Sequence, residues 1–254
     1  KENQILAASN ICFSLSKGET LSIVGESGSG KSIIGLSIMK LLPYPLADHG
    51  SESKIIFKGE DILQKSKSQM RKLRGKKISM IFQEPMTSLN PFLKCGEQIE
   101  ESIFFSSESL DKKNKVMELL EEVEFQDPEK IFNSYPHQIS GGQRQRVMIA
   151  MAIANEPDLL IADEPTTALD VSTQQSLLVL LRKIQKKMGM SIIFISHDLN
   201  IVKKISDRVL VMQKGEIKEE NSMNEIFQNP KDPYTQRLIT VSYTHLTLPT
   251  SSWV

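Results

Sequence analysis

The sequence predicts an α/β fold: a mostly parallel sheet with helices on both faces, an antiparallel β portion toward the N-terminal side, and an inserted helical segment. Three observations carry this. Apolar runs at Thr20–Val24 (TLSIV), Ile78–Phe82 (ISMIF), Leu159–Ala162 (LLIA), Ser191–Ile195 (SIIFI) and Arg208–Met212 (RVLVM) read as buried strands. Helical patterns alternate with them, the order that parallel strands need. A glycine-rich loop, Gly25–Ser32 (GESGSGKS), joins the first of these strands to the first helix.

Taken in order, Ile11, Phe13 and Leu15 alternate with polar residues and predict a strand, with Lys17-Gly18 as a turn. Lys31 to Leu42 reads as a helix stopped at Pro43. Lys54 to Phe57 reads as a strand before a Gly59-Glu60 turn. From Gln98 to Phe125 the pattern is helical, with Val116, Leu119, Leu120 and Val123 at helix spacing. Helices are predicted over Gly142 to Asn155, ended by Pro157, and over Gln174 to Met188, ended by Gly189. A turn at Gln213-Lys214-Gly215 leads into Glu216 to Lys218. Short helices follow near Met223 to Gln228 and Tyr234 to Thr240. The organisation is a core of residues 1–84 and 146–240, a helical subdomain of 85–145, and a tail of 241–254. That tail, with VSYTHLTLPT at Val241 to Thr250, resembles a translated sequencing-library adapter. It is set aside from fold reasoning, together with His245 and Trp253. The chain starts at Lys1, not Met, and is expected to begin inside a longer protein.

The 31 basic and 31 acidic residues cancel, which argues against a general nucleic-acid binder. Cys12 and Cys95 match no metal spacing and are expected to be buried thiols in a reducing compartment. No run of about 18 apolar residues is present to span a bilayer, so any membrane role comes through a partner.

GESGSGKS fits the phosphate-loop pattern G-x-x-x-x-G-K-S/T, and its place between strand and helix is the context the pattern needs. Gly25, Glu26, Ser27, Gly28, Ser29 and Gly30 let backbone N–H groups converge on phosphate oxygens. Ile33, one residue into the helix beyond Ser32, belongs to the same nucleotide-binding stretch. The helix start adds a favourable dipole. Lys31 would reach the terminal phosphates and the Ser32 hydroxyl would ligate Mg²⁺. LLIADE ends an apolar strand on two carboxylates. Asp163 there would hold Mg²⁺, and Glu164 would take a proton from, or orient, an attacking water.

Ser140-Gly141-Gly142-Gln143, within ISGGQRQR, opens a second helix with glycines that admit a close ligand. This string resembles the signature of the ATP-binding cassette family, which hydrolyses ATP at the interface of two paired domains. The resemblance implies a P-loop NTPase core and a head-to-tail dimer, with SGGQ closing on the phosphate held by the facing subunit. It implies that Gln83, after ISMIF, touches Mg²⁺ and the attacking water. It implies that His197, in ISHD, contacts the γ-phosphate, and that Asp170, in Ala168-Leu169-Asp170, lies in a loop crossing the dimer interface. Family members stack an aromatic ring on adenine ahead of the phosphate loop. Phe13 reads as core, so that residue is expected before Lys1.

IFQEPMTSLNP, YPHQISGGQRQRVMIAMAIA, LLIADEPTTALDVSTQ and NPKDPYTQRL resemble the ATPase subunits of bacterial peptide and nickel importers. That implies ATP and Mg²⁺ as cofactors, a second ATPase subunit and transmembrane permease subunits as partners, and indirectly a substrate-binding protein. It implies no nucleic acid, and a peripheral place on the cytoplasmic face of the membrane. Two other readings are a soluble cassette ATPase outside transport, and a truncated nucleotide-binding module without turnover. Long coiled coils, zinc modules or a second cassette would mark the first; phosphate release at several protein concentrations separates the second.

Overall fold

The computed structural model describes residues 6–83, 88–104, 109–167 and 169–244. Eight strands are present among them: β1 Thr20–Val24, β2 Ile56–Phe57, β3 Glu60–Asp61, β4 Ile78–Ile81, β5 Leu159–Asp163, β6 Ser191–Ser196, β7 Arg208–Gln213 and β8 Glu216–Ser222. Six form one sheet in the order β4-β5-β6-β1-β7-β8. Its pairings are parallel except that of β7 with β8. β2 and β3 make a separate antiparallel pair. The α/β class and the mostly parallel sheet are as the sequence predicts.

Alternation along the strands divides the core in two. Leu160, Ala162, Ile192 and Phe194 face the helices Cys95–Ser102, Ser109–Glu122, Gly141–Ile153 and Val171–Met188. Leu21, Ile23, Ile161, Ile193 and Ile195 face the other way, onto Ile34 and Ile38 of the helix Lys31–Ile38. The helices Cys95–Ser102, Ser109–Glu122, Pro128–Asn133 and Gly141–Ile153 also pack on one another. The last runs unbroken through residue 145.

The sequence expectation fails over Ile11 to Leu15. The inward alternation is real, with Ile11, Phe13 and Leu15 packed on the second core. The segment nevertheless joins no ladder, because side chains take its neighbouring backbone groups. Arg208 donates to the Ser14 carbonyl, Ser191 Oγ to the Ser16 carbonyl at 2.9 Å, and Glu19 accepts from the Ser16 N–H at 2.7 Å. The same alternation turns Cys12 outward, so only Cys95 is buried. The first helix ends at Ile38, short of the predicted Leu42. Lys40 takes a left-handed φ of 50°, and the Leu41 N–H returns to Leu36 O at 2.8 Å. This is a Schellman stop made without glycine. The predicted start of the helical insert at Pro85 lies outside the described residues, as do Ala168 and the tail beyond Thr244.

Gln145 is fully buried in the helix Gly141–Ile153, and neither of its amide atoms has a hydrogen-bond partner among the described residues. An orphaned buried amide costs roughly 1–3 kcal/mol. Gln145→Leu is therefore expected to raise Tm by about 2–4 °C for each kcal/mol recovered. Calorimetry checks this, and an unchanged or lower Tm would show the amide to be satisfied.

Candidate functional site

Parallel strands present their carboxyl ends on one side of a sheet, where open α/β sheets bind ligands. The loop Gly25–Ser32 leaves β1 at that edge, Gln83 follows β4, Asp163 and Glu164 end β5, and His197 follows β6. The fold thus brings together residues far apart in sequence.

Gly25 sits at φ 152°, and a Cβ there would lie 2.2 Å from the Met212 carbonyl oxygen. No side chain fits at that point. Lys31 is 5% exposed and curls over its own loop, donating to Gly25 O at 2.8 Å and Glu26 O at 2.7 Å. Burial lowers its pKa, against the opposing pull of Glu164, Asp163 and Glu26. Ser32 Oγ donates to Asp163 Oδ1 at 3.1 Å. Asp163 is itself buried, and burial pushes its carboxyl upward despite the Ser32 hydroxyl and the Lys31 charge. Glu26, Ser27 and Gly28 are exposed, Ser29 is buried, and Ile33 is half-buried behind the loop.

Glu164 is the hub. Its Oε2 accepts from Gln83 Nε2 at 3.2 Å and from Thr167 Oγ1 at 3.0 Å, and its Oε1 lies 3.0 Å from His197 Nδ1. Burial acts to raise this carboxyl, but His197, Thr167 and Lys31 outweigh it, and the net direction is down. Its backbone takes φ 47°, uncommon for a residue with a Cβ, and its N–H donates to Ile195 O on β6 at 2.9 Å. That turn swings the side chain off the strand line toward Gln83 and His197. Thr167 is a partner that sequence reasoning missed; a threonine in a TT pair carries no signal of its own. Tyr234 was missed too: its hydroxyl accepts from the Glu26 N–H at 3.1 Å.

The signature string lies apart from this cluster. Ser140 caps the helix Gly141–Ile153, accepting from Gln143 N at 3.2 Å while Gln143 Oε1 accepts from Ser140 N at 2.9 Å. Ser140 and Gly141 are exposed. Gly142 is pressed on Thr173, whose Cγ2 would be 2.5 Å from an added Cβ. Asp170 caps the next helix, accepting from Thr173 N at 2.9 Å and Thr173 Oγ1 at 2.7 Å. Those two bonds, the hydroxyl's first, hold its carboxyl below the usual range.

The oxygens of Ser32 and Asp163, side by side next to Lys31, suit a hard divalent cation that keeps most of its water and phosphate ligands. Among the described residues, no group of three or more His, Cys, Asp or Glu could hold a metal by itself. Nor is any helix long and apolar enough to cross a membrane.

The family model "ABC transporter" matches residues 8–167. Relatives include the oligopeptide transport ATP-binding protein OppD of Bacillus subtilis, 51% identical over 93% of this chain and 66% of the relative. The dipeptide transport ATP-binding protein DppD of the same organism is 46% identical over 92% of this chain and 70% of the relative. The glutathione import ATP-binding protein GsiA of Escherichia coli O1:K1 is 46% identical over 94% of this chain, which spans 39% of it. Among solved structures, the dimeric post-hydrolysis ATP-binding cassette MJ0796 bound to ADP and Pi superposes with TM-score 0.76 at 30% identity, over 88% of this chain and 93% of that one. CbiO1 from Clostridium perfringens, part of the ABC transporter complex cbiONQ, gives 0.77 at 27% identity, over 96% and 89%. The chain spans just under two thirds of OppD and well under half of GsiA. A family model that covers most of the chain, and a relative spanned by more than two thirds, agree with the motifs, and the chain belongs to the ABC transporter family.

Proposed function

We propose that this chain is the ATP-hydrolysing subunit of a bacterial ABC importer of peptides or nickel, working as a head-to-tail dimer beneath transmembrane permease subunits. The observation that carries the reading is the exposed SGGQ helix start. Its hydrogen bonds among the described residues stay within its own cap and first helical turn, while Lys31 and the first helix stand at the phosphate loop of the same chain. A second helix start suited to an anion, left facing outward, fits a phosphate brought by another subunit. The dimeric MJ0796 and the cbiONQ membership of cbiO1 supply the precedent. The names of OppD and DppD supply the peptide cargo, which a separate binding protein would deliver.

In this reading Lys31 and the loop N–H groups hold the β- and γ-phosphates. Ser32, Asp163 and Gln83 would hold Mg²⁺, which when bound would offset phosphate charge. Glu164, held by Gln83, Thr167 and His197, orients the water that attacks the γ-phosphorus and takes its proton as the bond to ADP breaks. His197 then steadies the γ-phosphate. The helical segment 85–145 and the residues around Gln83 relay opening and closing to the permease. The subunit sits on the cytoplasmic face of the membrane and needs no nucleic acid.

Turnover per chain should rise with protein concentration. Steady-state phosphate release over a dilution series tests this. Equal specific activity at concentrations too low for pairing would overturn the composite site.

A further inference from the structure

Two helices start at functional loops: Lys31–Ile38 at the phosphate loop and Gly141–Ile153 at Ser140. Their far ends are tied to one short turn, Arg74-Gly75, just before β4. Arg74 Nε donates to Met39 O at 2.7 Å and its Nη2 to Lys40 O at 2.6 Å, closing the end of the first helix. A guanidinium on those carbonyls also meets the negative end of the helix dipole. Asn155, just past the second helix, donates through Nδ2 to Gly75 O at 2.9 Å and to Ser102 O at 2.7 Å. Its Oδ1 accepts from Phe104 N at 3.0 Å. The whole amide is thus spent on backbone groups of other segments. The Phe104 ring closes over the turn, its Cε2 only 2.9 Å from where a Gly75 Cβ would stand.

We propose that Arg74 and Asn155 are positioning residues that brace the phosphate-loop helix against the signature helix and so set where Ser140 is presented. The inference rests on the composite-site reading above. The lever arm gives the size of the effect. Thirteen residues at 1.5 Å each make the signature helix about 20 Å long. A tilt of about 3° at Asn155 therefore displaces Ser140 by about 1 Å, and a misplacement of that order costs about a hundredfold in an organised site. Both residues sit at the helix ends away from the phosphate loop and the Glu164 cluster, so cis binding should be spared.

The test uses the full chain carrying Glu164→Gln, in which ATP-driven pairing is followed by sedimentation velocity and cis ATP affinity by fluorescence titration at monomeric concentrations. Adding Asn155→Ala should leave cis affinity within about twofold and raise the protein concentration for half-pairing at least about tenfold. Asn155→Ser, which keeps one short donor, should fall between, and Arg74→Ala should resemble Asn155→Ala. Should Asn155→Ala not fold, Asn155→Ser and Arg74→Lys are read in its place. Unchanged pairing, or an equal loss of cis affinity, overturns the brace. If Glu164→Gln alone does not pair with ATP, the composite-site reading falls instead.

Discussion

Glu164→Gln is expected to bind ATP, lose about 10²–10⁴ in turnover, and accumulate as an ATP-bound dimer. The side chains have the same shape, so the phosphate loop, Ser32 and Asp163 keep their places. What changes is the acceptor count. The carboxylate takes Gln83 and Thr167 on one oxygen and faces His197 with the other. A carboxamide has one oxygen and cannot take a proton from water, so one side of this arrangement is lost along with the base. Phosphate release and light scattering with ATP measure the two halves of the prediction. Turnover near the unaltered level would remove Glu164 from the proton-accepting role.

Ser140→Arg is expected to abolish hydrolysis, by about a hundredfold or more, with cis ATP affinity almost unchanged. Ser140 is exposed and, among the described residues, its side chain bonds only Gln143 N in its own cap, so the cis site does not feel it. Losing the cap costs about 1 kcal/mol of helix stability, which Ser140→Ala measures separately. The composite site makes a sharper demand. Glu164→Gln and Ser140→Arg chains, each inactive alone, should regain part of the turnover when mixed. A mixed pair contains one site with an intact Glu164 in one chain and an intact Ser140 in the other. No recovery on mixing, with pairing verified, would rule out catalysis across the interface.

Much of this was legible in the sequence. Strands buried on both faces announce themselves as unbroken apolar runs, and β1, β5 and β6 lie within a residue of where TLSIV, LLIA and SIIFI place them. The residues gathered at the carboxyl edge of the sheet were marked in the sequence because a phosphate-loop pattern and an acidic strand end need particular side chains at particular spacings. What escaped was set by contacts distant in sequence. The helix Lys67–Leu73 buries only Met70, so it has no apolar periodicity; its sign was the Ser66–Gln69 capping box. Leu199–Ile205 has Leu199, Val202 and Ile205 at helix spacing behind its Asp198 cap, but at seven residues it is too short for the pattern to stand out. Ile11 to Leu15 has a strand's alternation, but a strand also needs a free partner edge, and no local pattern reports that Arg208 has taken the Ser14 carbonyl and Ser191 that of Ser16 just beyond. Thr167 and Tyr234 join the site for similar reasons: each is placed by the fold and unmarked by its neighbours in sequence.

The Met212 carbonyl that backs Gly25 has a consequence for how the protein is made. The phosphate loop lies near the beginning of the chain, yet it is shaped from behind by that carbonyl and by the Gly215 N–H, which donates to Ser29 O at 3.0 Å. The first lies near the end of β7 and the second in the turn that leads to β8, among the last parts of the sheet to leave the ribosome. Such long-range closure is slow, because the loop entropy is lost before the contacts reward it. A nascent chain therefore carries the complete phosphate-loop sequence long before it carries a finished cradle. A fragment ended before Met212 lacks both backbone groups that shape the loop from behind.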